Sequence, residues 1–176
     1  MDRRKKYTQK VIHDSLFELL KDHHLSEITV KEICKKSDIN RSTFYRNYLD
    51  IYDLFEKTEQ TLSKQAFQSQ DIVTDRDQLL EVIYNYQTFY REFFQIGLES
   101  KQLKQMMNEL KEQTAQVIKR RGTYNAETFD LEYQYNYYGA LGVIKNWVEK
   151  GCQKKPQELG EVLYSIVDQQ YGIQSK

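Results

Sequence analysis

Residues 29–48 read TVKEICKKSDINRSTFYRNY, and this stretch decides the fold of the N-terminal part of the chain. Thr29 followed by Glu32 is a capping-box pattern, which predicts the start of a short helix. A polar turn precedes Asn40, whose side chain can cap another short helix that ends near Tyr48. Two short helices joined by a turn of about three to four residues predict a helix-turn-helix, which places its second helix in the major groove of DNA.

The second of these helices has one purely apolar side chain, Phe44, which must anchor it on the hydrophobic interior. The remaining side chains are then available to phosphates and base edges, since arginine can fork onto guanine and small hydroxyls allow close approach. The hydroxyl or the backbone N–H of Thr29 can also donate to a phosphate. The predicted DNA-contacting residues are Thr29, Lys31, Asn40, Arg41, Ser42, Thr43, Tyr45, Arg46 and Tyr48.

Amphipathic segments flank this motif on both sides. Ile12 and Leu16 belong to an apolar stripe that predicts a helix over about residues 8–22. Asp50 is predicted to cap a further helix. The apolar face of that helix carries Ile51, Leu54, Phe55, Thr58 and Leu62. The basic residues 3–6 have two interpretations, a phosphate-contacting arm or a solvated terminus.

The composition of the 176-residue chain favours helices throughout. Seven glycines and one proline are too few for a turn-rich all-β fold. The chain has 26 basic and 26 acidic side chains, but residues 3–48 carry 11 basic and six acidic ones. The positive charge is therefore concentrated around the predicted DNA-binding motif. We expect an all-α protein with a basic N-terminal head.

The sequence offers no pattern typical of export, membrane insertion, metal binding or catalysis. No apolar run approaches the roughly 18 residues of a membrane-spanning helix, and no apolar signal core follows the basic N-terminus. The two cysteines, Cys34 and Cys152, lack ligand spacing, so neither a zinc site nor a disulfide framework is expected. A Ser-His-Asp arrangement, HExxH and a glycine-rich phosphate loop are not found, which argues against an enzyme. We expect a cytoplasmic protein without a metal or cofactor.

Helical patterns continue through the rest of the chain. Residues 69–77 are polar and are predicted to form a connection. Apolar periodicity predicts helices over residues 79 to about 94, 103–118, 128–150 and 156–171. Gly151 is predicted to end the third of these helices, and Pro156 suits the first turn of the last one.

The residues of the predicted DNA-binding motif carry a resemblance to a known family, the TetR-family transcriptional regulators. The resemblance to the DNA-binding head of that family rests on residues 29–34, 37–40, 42–45 and Tyr48. It covers about residues 8–60, and the helical remainder is similar in length and pattern to the family's dimerising, effector-binding body. Residues 139–147 also resemble a short branch of the family that includes a dihydroxyacetone kinase operon activator.

The resemblance implies a three-helix head with a helix-turn-helix over residues 1–50. A helical-bundle body for dimerisation and effector binding follows over residues 51–176. Three positions depart from the family pattern. Asp38 stands in place of a turn glycine but tolerates a left-handed turn, and Cys34 replaces a small alanine. Ile51 stands in place of a frequent lysine, so one phosphate contact of the family is missing.

A single short recognition helix contacts too few base pairs for useful specificity, so two heads are needed on a palindromic operator. We expect the helices over 128–150 and 156–171 to pair two copies of the chain. The small residues Gly139, Ala140 and Gly142 permit close approach of these helices. The predicted interface residues are Tyr138, Leu141, Ile144, Val148, Leu163 and Val167.

The resemblance also implies a cavity for an effector in the body. The candidate lining residues are aromatic, namely Tyr86, Phe89, Tyr90, Phe93, Tyr133, Tyr137 and Trp147. Tyrosine hydroxyls and ring faces would suit an amphipathic or cationic aromatic ligand. Aromatic stripes also form ordinary hydrophobic cores, and at this point both interpretations stay open.

The leading hypothesis is a homodimeric transcriptional repressor whose affinity for double-stranded DNA is controlled by a small-molecule effector. A second hypothesis is a coactivator whose body binds a protein partner rather than a metabolite. Neither hypothesis involves a membrane, and neither requires a metal.

Overall fold

A computed structural model of the chain describes residues 3–66, 72–97 and 125–171, together with seven separate positions between 104 and 119. Residues 72–76 and 167–171 are described by their backbone. The continuous described stretches form eight α-helices, one 3-10 helix and no β-strand. The α-helices are α1 (Arg3–Leu19), α2 (Val30–Lys36), α3 (Arg41–Tyr45), α4 (Ile51–Ala66), α5 (Ile72–Asn85), α6 (Gln87–Gln95), α7 (Ala126–Glu149) and α8 (Pro156–Tyr171), and the 3-10 helix is Leu25–Glu27. The predicted all-α class is confirmed.

The first of two compact units comprises Met1–Leu62 and Thr88–Leu98. Side chains from α1 to α4 and from α6 are fully buried in its core, including Ile12, Leu16, Ile33, Phe44, Leu54, Phe55 and Phe89. The predicted apolar face of α4 is confirmed, since Ile51, Leu54, Phe55, Thr58 and Leu62 are all buried. The rings of Phe55 and Phe89 are stacked with their centroids 4.3 Å apart. α6 therefore completes the core on which the N-terminal helices pack.

The second unit comprises Ser63–Gln87 and Glu99–Lys176, and within it α5 packs against α8. Leu79, Leu80 and Ile83 of α5 are buried. The ring of Tyr84 stacks on Trp147 of α7 with the centroids 6.2 Å apart. The indole N–H of Trp147 donates to the carbonyl of Lys154 at 3.0 Å, which fastens the connection between α7 and α8.

The connection from α7 to α8 follows the predicted signals. Gly151 has a φ of 72°, in the left-handed region that favours glycine. The N–H of Cys152 donates to the carbonyl of Trp147 at 2.9 Å, as in a Schellman motif. Pro156 is the first residue of α8, where its missing N–H costs no helical hydrogen bond. Both sequence predictions are confirmed.

Two predicted boundaries are wrong. α1 begins at Arg3, so the basic residues 3–6 form its exposed first turn instead of a separate arm or tail. α5 begins at Ile72, inside the predicted polar connection 69–77. The helix predicted over 103–118 lies mostly outside the described residues, although its separately described positions are helical.

The aromatic helix predicted from Leu79 is divided at Tyr86 into α5 and α6. Leu79 and Ile83 are buried in the second unit, whereas Phe89 and Phe93 are buried in the first. A single straight helix would have to serve both cores with one apolar stripe. The break lets each helix present its apolar residues to its own core.

Candidate nucleic-acid interface

α2 begins with the capping box that the sequence predicts. The hydroxyl oxygen of Thr29 accepts a hydrogen bond from the N–H of Glu32 at 3.3 Å. The carboxylate of Glu32 in turn accepts from the hydroxyl and the N–H of Thr29 at 2.7 and 2.9 Å, and these bonds hold the pKa of Glu32 below its usual value. Both donors of Thr29 are thus engaged within the chain. The prediction that they meet a phosphate conflicts with this geometry.

The turn between α2 and α3 is a Schellman motif. Asp38 has a φ of 51°, so the aspartate adopts the left-handed conformation expected of it in place of glycine. The N–H of Ile39 donates to the carbonyl of Cys34 at 3.0 Å, which is the longer bond of that motif, and the N–H of Ser37 donates to the carbonyl of Ile33 at 2.9 Å as a regular helical bond. These bonds satisfy the carbonyls of Ile33 and Cys34 and set the direction in which α3 leaves.

α3 begins at the predicted cap and turns its polar side chains outward. The side-chain oxygen of Asn40 accepts from the N–H of Thr43 at 2.8 Å and from the hydroxyl of Ser42 at 2.7 Å. Phe44 is fully buried, as predicted for the anchor of this helix. The exposed side chains beside it are Asn40, Arg41, Ser42, Tyr45 and Arg46, with Lys31 exposed on α2 and Thr43 partly buried. The predicted DNA-contacting residues of α3 therefore lie together on one short helix.

Tyr48 does not belong to this exposed surface, so the prediction that it contacts DNA is wrong. The residue is only 2% exposed, and burial raises the pKa of its hydroxyl. The hydroxyl is 2.9 Å from Nε2 of His13 on α1, and burial lowers the pKa of that imidazole. The ring also lies 5.6 Å from that of Phe44. Since Tyr48 follows Phe44 by four positions, the helical spacing already indicated that both point to the same side.

Two residues of α4 that sequence reasoning missed hold the turn after α3. The carboxylate of Asp53 accepts from the N–H of Leu49 and from the ammonium of Lys57, both at 2.8 Å. Burial alone would raise the pKa of Asp53, but these hydrogen bonds outweigh it and the pKa lies below its usual value. The ammonium of Lys57 also donates to the carbonyl of Asn47 at 3.3 Å. The spacing of four residues between Asp53 and Lys57 was the available signal.

The candidate effector-pocket residues are divided between the two units. Phe89, Tyr90 and Phe93 are buried in the first unit, where Phe89 also meets Phe17 edge-on at 5.8 Å. These rings therefore form part of the core under the helix-turn-helix. Their assignment to an effector cavity in the body is corrected on this ground.

The remaining pocket candidates lie in the second unit. Tyr86, Tyr133 and Tyr137 are partly exposed there. Trp147 is buried, with its ring stacked on Tyr84 and its indole N–H donating to the carbonyl of Lys154, and its assignment to the cavity stays a prediction.

Most of the predicted interface residues lie on accessible faces of α7 and α8. Tyr138 is exposed, and Leu141, Ile144 and Leu163 are partly exposed. Val148 is only 2% exposed within its own chain, so its assignment to the interface is wrong. The side chain of Val167 lies outside the described part of the structure. Five exposed apolar residues of α7 and α8 were missed as interface candidates by the sequence analysis, namely Leu131, Tyr135, Val143, Val162 and Ile166.

The described residues contain no cluster of three or more histidine, cysteine, aspartate or glutamate side chains arranged to bind a metal ion. Among the helices described, none combines the length and the apolar character that crossing a membrane requires.

A family model described as a transcriptional regulator C-terminal region matches residues 76–169, which is more than half of the chain. Over 167 residues the chain is 21% identical to a protein of Bacillus subtilis (strain 168) described as the uncharacterized HTH-type transcriptional regulator YxbF. The match covers 90% of this chain and 44% of that protein, so the chain spans less than half the length of this curated relative.

Solved structures share the fold at low sequence identity. The dihydroxyacetone kinase operon activator DhaS superposes with a TM-score of 0.72 at 17% identity, covering 96% of this chain and 98% of that one. The fatty acid degradation regulator FadR from Bacillus halodurans superposes with a TM-score of 0.63 at 18% identity, covering 90% of this chain and 93% of that one. At these identities the likeness shows a common all-helical fold.

Proposed function

The family model that matches residues 76–169 is that of the C-terminal region of TetR-type regulators, so this chain belongs to the TetR family of transcriptional regulators, and we propose that it is a repressor that binds a palindromic operator as a homodimer. In this proposal α3 of each subunit enters the major groove, and the two heads occupy successive grooves on one side of the duplex. The protein acts on DNA in the cytoplasm, and a small molecule bound by the second unit lowers its affinity for the operator.

The observation that carries the proposal is the exposed polar surface of α3. Phe44 fixes the helix on the core, and Tyr48 fixes its far end through His13. Arg41 and Tyr45, which are exposed, project away from this anchored side. Guanidinium groups read guanine edges and tyrosine hydroxyls donate to phosphates, so these side chains match the chemistry of a major groove.

Basic side chains of α2 support the same surface. Lys31, Lys35 and Lys36 are exposed on this seven-residue helix, which leads directly into the turn before α3. Lysines near a duplex release condensed counterions on binding, which adds affinity for any sequence and makes it dependent on salt. We expect α2 to supply this general attraction while α3 supplies the sequence preference.

Dimerisation is supported by an apolar stripe along α7. Leu131, Tyr135, Tyr138 and Gly142 follow one another at intervals of four, three and four positions, which places them on one face of the helix. Tyr135 is 77% exposed within a single chain. A row of exposed apolar side chains along one helix face is typical of a protein–protein contact. A second copy of the chain is the partner that the proposal assigns to it.

The stripe is complementary to itself when two copies of α7 cross in opposite directions. A Cβ built on Gly139 or on Gly142 meets nothing within 4 Å, so the C-terminal half of the stripe presents open space. The N-terminal half presents the rings of Tyr135 and Tyr138. A two-fold axis near positions 138–139 would seat Tyr135 of one chain over Gly142 of the partner subunit, and the reverse contact follows by symmetry.

The effector is proposed to be an aromatic or hydrophobic cation. In the second unit the ammonium of Lys111 lies 6.0 Å from the ring centroid of Tyr133 and pairs with Asp130 at 2.9 Å. The face of Tyr133 therefore already attracts one cation, and a ligand cation would compete with Lys111 for it. A panel of hydrophobic cations should raise the melting temperature of the wild-type protein and less so that of Tyr133→Leu. An unchanged melting temperature with every compound would remove this part of the proposal.

Selection of bound duplexes from a random pool is the experiment that tests DNA binding. We expect an inverted repeat whose half-sites lie about one helical turn apart, roughly 10 base pairs from centre to centre, or a multiple of this spacing. The double variant Arg41→Ala/Arg46→Ala should fail to enrich it, while Lys64→Ala, which removes an exposed cation from the last turn of α4, should behave as wild type. Recovery of no sequence from the pool would refute the proposed function.

Two further measurements test the stoichiometry and the direction of control. Sedimentation at micromolar concentration should give a dimer, and a monomer would contradict the paired heads. A reporter gene placed behind the recovered repeat should be expressed less when the protein is present. Increased expression would replace repression by activation and leave the DNA-binding proposal intact.

A further inference from the structure

Glu92 of α6 is a buried acidic residue in the first unit, only 8% exposed. One carboxylate oxygen accepts a hydrogen bond from the backbone N–H of Leu25 at 2.8 Å, across 67 positions of sequence. The other oxygen lies 3.1 Å from Nδ1 of His24, whose side chain is largely exposed. Both contacts reach the loop between α1 and α2. None of these residues takes part in the proposed contact with DNA.

A buried carboxylate is costly unless it is paired, and here it is paired with a backbone donor and an imidazole. Apolar side chains of similar size often give the same stability as a buried ionic contact. Stability alone therefore does not explain a glutamate at this position. A charged hydrogen bond differs from an apolar contact because it has a direction and a defined length. Glu92 consequently fixes where the peptide of Leu25 lies on α6.

The position of Leu25 determines the start of the helix-turn-helix. Leu25 is the first residue of the 3-10 helix, and its carbonyl accepts from the N–H of Ile28 at 3.2 Å. The next residue is Thr29, which caps α2. The chain between the contact with Glu92 and the cap of α2 is thus one short, internally bonded turn. A displacement of Leu25 would therefore displace the N-terminus of α2.

We propose that Glu92 is a positioning residue for DNA binding, which ties the turn before α2 to α6 and so sets the orientation of α2 and α3 on the head. The inference rests on the proposed DNA-binding function. Glu92 acts through the Leu25 peptide and touches no part of the duplex. The hydrogen bond between Leu25 and Glu92 attaches the turn before α2 to α6. The stacked rings of Phe55 and Phe89 attach α6 to α4, so the helix-turn-helix and α6 are expected to move together.

The test compares three full-length variants. Glu92→Met removes both hydrogen bonds but keeps an unbranched side chain of similar length, so the core remains filled. Glu92→Gln keeps an oxygen that can accept from Leu25 and is the conservative rescue. Phe93→Leu removes an aromatic contact with Phe55 from the same helix and leaves the bond to Leu25 in place, so it controls for lost stability.

Two readouts are measured at a temperature where all variants are folded. The Leu25 amide should exchange with solvent about 10- to 100-fold faster in Glu92→Met than in wild type, because its acceptor is gone. Affinity for a duplex carrying the selected repeat should fall about tenfold in Glu92→Met. Glu92→Gln should stay within about threefold of wild type, and Phe93→Leu should change neither readout by more than that.

Three results would overturn the proposal. Equal duplex affinity of Glu92→Met and wild type would show that DNA binding does not depend on the hydrogen bonds of Glu92 to the turn before α2. An equal loss in Phe93→Leu would assign the effect to stability. Fast exchange of the Leu25 amide in wild type would show that the bond does not hold in solution. Failure of the wild-type protein to bind any duplex would instead refute the proposed function, and the exchange measurement would still report on the bond itself.

Discussion

Tyr45 and Tyr48 offer a matched pair for separating DNA contact from folding, because the same atom can be removed from each. Tyr45→Phe removes a hydroxyl from a residue that is 55% exposed on α3. Tyr48→Phe removes one from the buried face three positions later, where it is 2.9 Å from Nε2 of His13. Each substitution leaves the aromatic ring and its packing in place. The two variants therefore differ in the partner that loses a hydrogen bond.

The expected magnitudes follow from those partners. Loss of the Tyr48 hydroxyl removes a hydrogen bond worth about 0.5–1.5 kcal/mol and leaves the His13 nitrogen short of a partner, so we expect about 1–2 kcal/mol of lost unfolding free energy. For a chain of this length that corresponds to a melting temperature lower by about 2–8 °C. Tyr45→Phe should stay within about 0.5 kcal/mol of wild type, as most surface substitutions do.

DNA binding should show the opposite pattern. Tyr45→Phe should lower duplex affinity by about 1–2 kcal/mol, or roughly five- to thirtyfold, because a hydrogen bond to a charged phosphate is lost. The loss should be the same on the selected repeat and on an unrelated duplex, since phosphates carry no sequence information. Tyr48→Phe should bind both duplexes as wild type does.

The assays are urea unfolding followed by circular dichroism and fluorescence anisotropy of labelled duplexes at two salt concentrations. If folded Tyr48→Phe lost as much affinity as Tyr45→Phe, Tyr48 would be a DNA-contacting residue and the interpretation of its burial would be wrong. If Tyr45→Phe bound all duplexes like wild type, the exposed hydroxyl would have no role in the complex.

Four other substitutions have defined outcomes. Arg41→Ala, in the first turn of α3, should cost about 1–3 kcal/mol of binding free energy and relax the sequence preference at one base pair. The guanidinium of Arg46 folds back onto the carbonyl of Ser42, so Arg46→Ala should weaken binding to all duplexes equally in the same anisotropy assay. His13 has a pKa lowered by burial from 6.5. The unfolded chain therefore binds its proton first as the pH falls, and urea midpoints should decrease from about pH 7 to about pH 5 in wild type and decrease less in His13→Gln. Gly142→Leu fills the space proposed for Tyr135 of the partner subunit, so it should raise the dimer dissociation constant measured by sedimentation by at least about tenfold. An unchanged dissociation constant would place the dimer interface elsewhere.

Local signals predicted the helix-turn-helix well. The caps at Thr29 and Asn40 each depend on hydrogen bonds within three positions, so the sequence contains both partners side by side. The left-handed turn at Asp38 and the end of α7 at Gly151 are local for the same reason. The apolar face of α4 is equally local, because helical periodicity alone defines it.

Long-range contacts account for the predictions that failed. The spacing from Phe44 indicated the side to which Tyr48 points, but the partner of its hydroxyl, His13, lies 35 positions away on another helix. Phe89 shares an aromatic pattern with the body, and only its stacking on Phe55 shows which core it joins. Val148 lies on an apolar face that periodicity defines, but periodicity cannot tell a face buried within the chain from one that awaits a partner. These distinctions require knowledge of what packs against each helix.

The inclusion of α6 in the first unit has a consequence for dissecting the protein or exchanging its modules. A fragment ending at Leu62 would retain every residue of the recognition motif but would lack Phe89 and Glu92, leaving Phe55 uncovered and the amide of Leu25 without its acceptor. Such a fragment should be prone to aggregation. A chimera that transplants this head onto another regulator would need to carry α6 with it, although α6 is encoded 25 residues further along the gene.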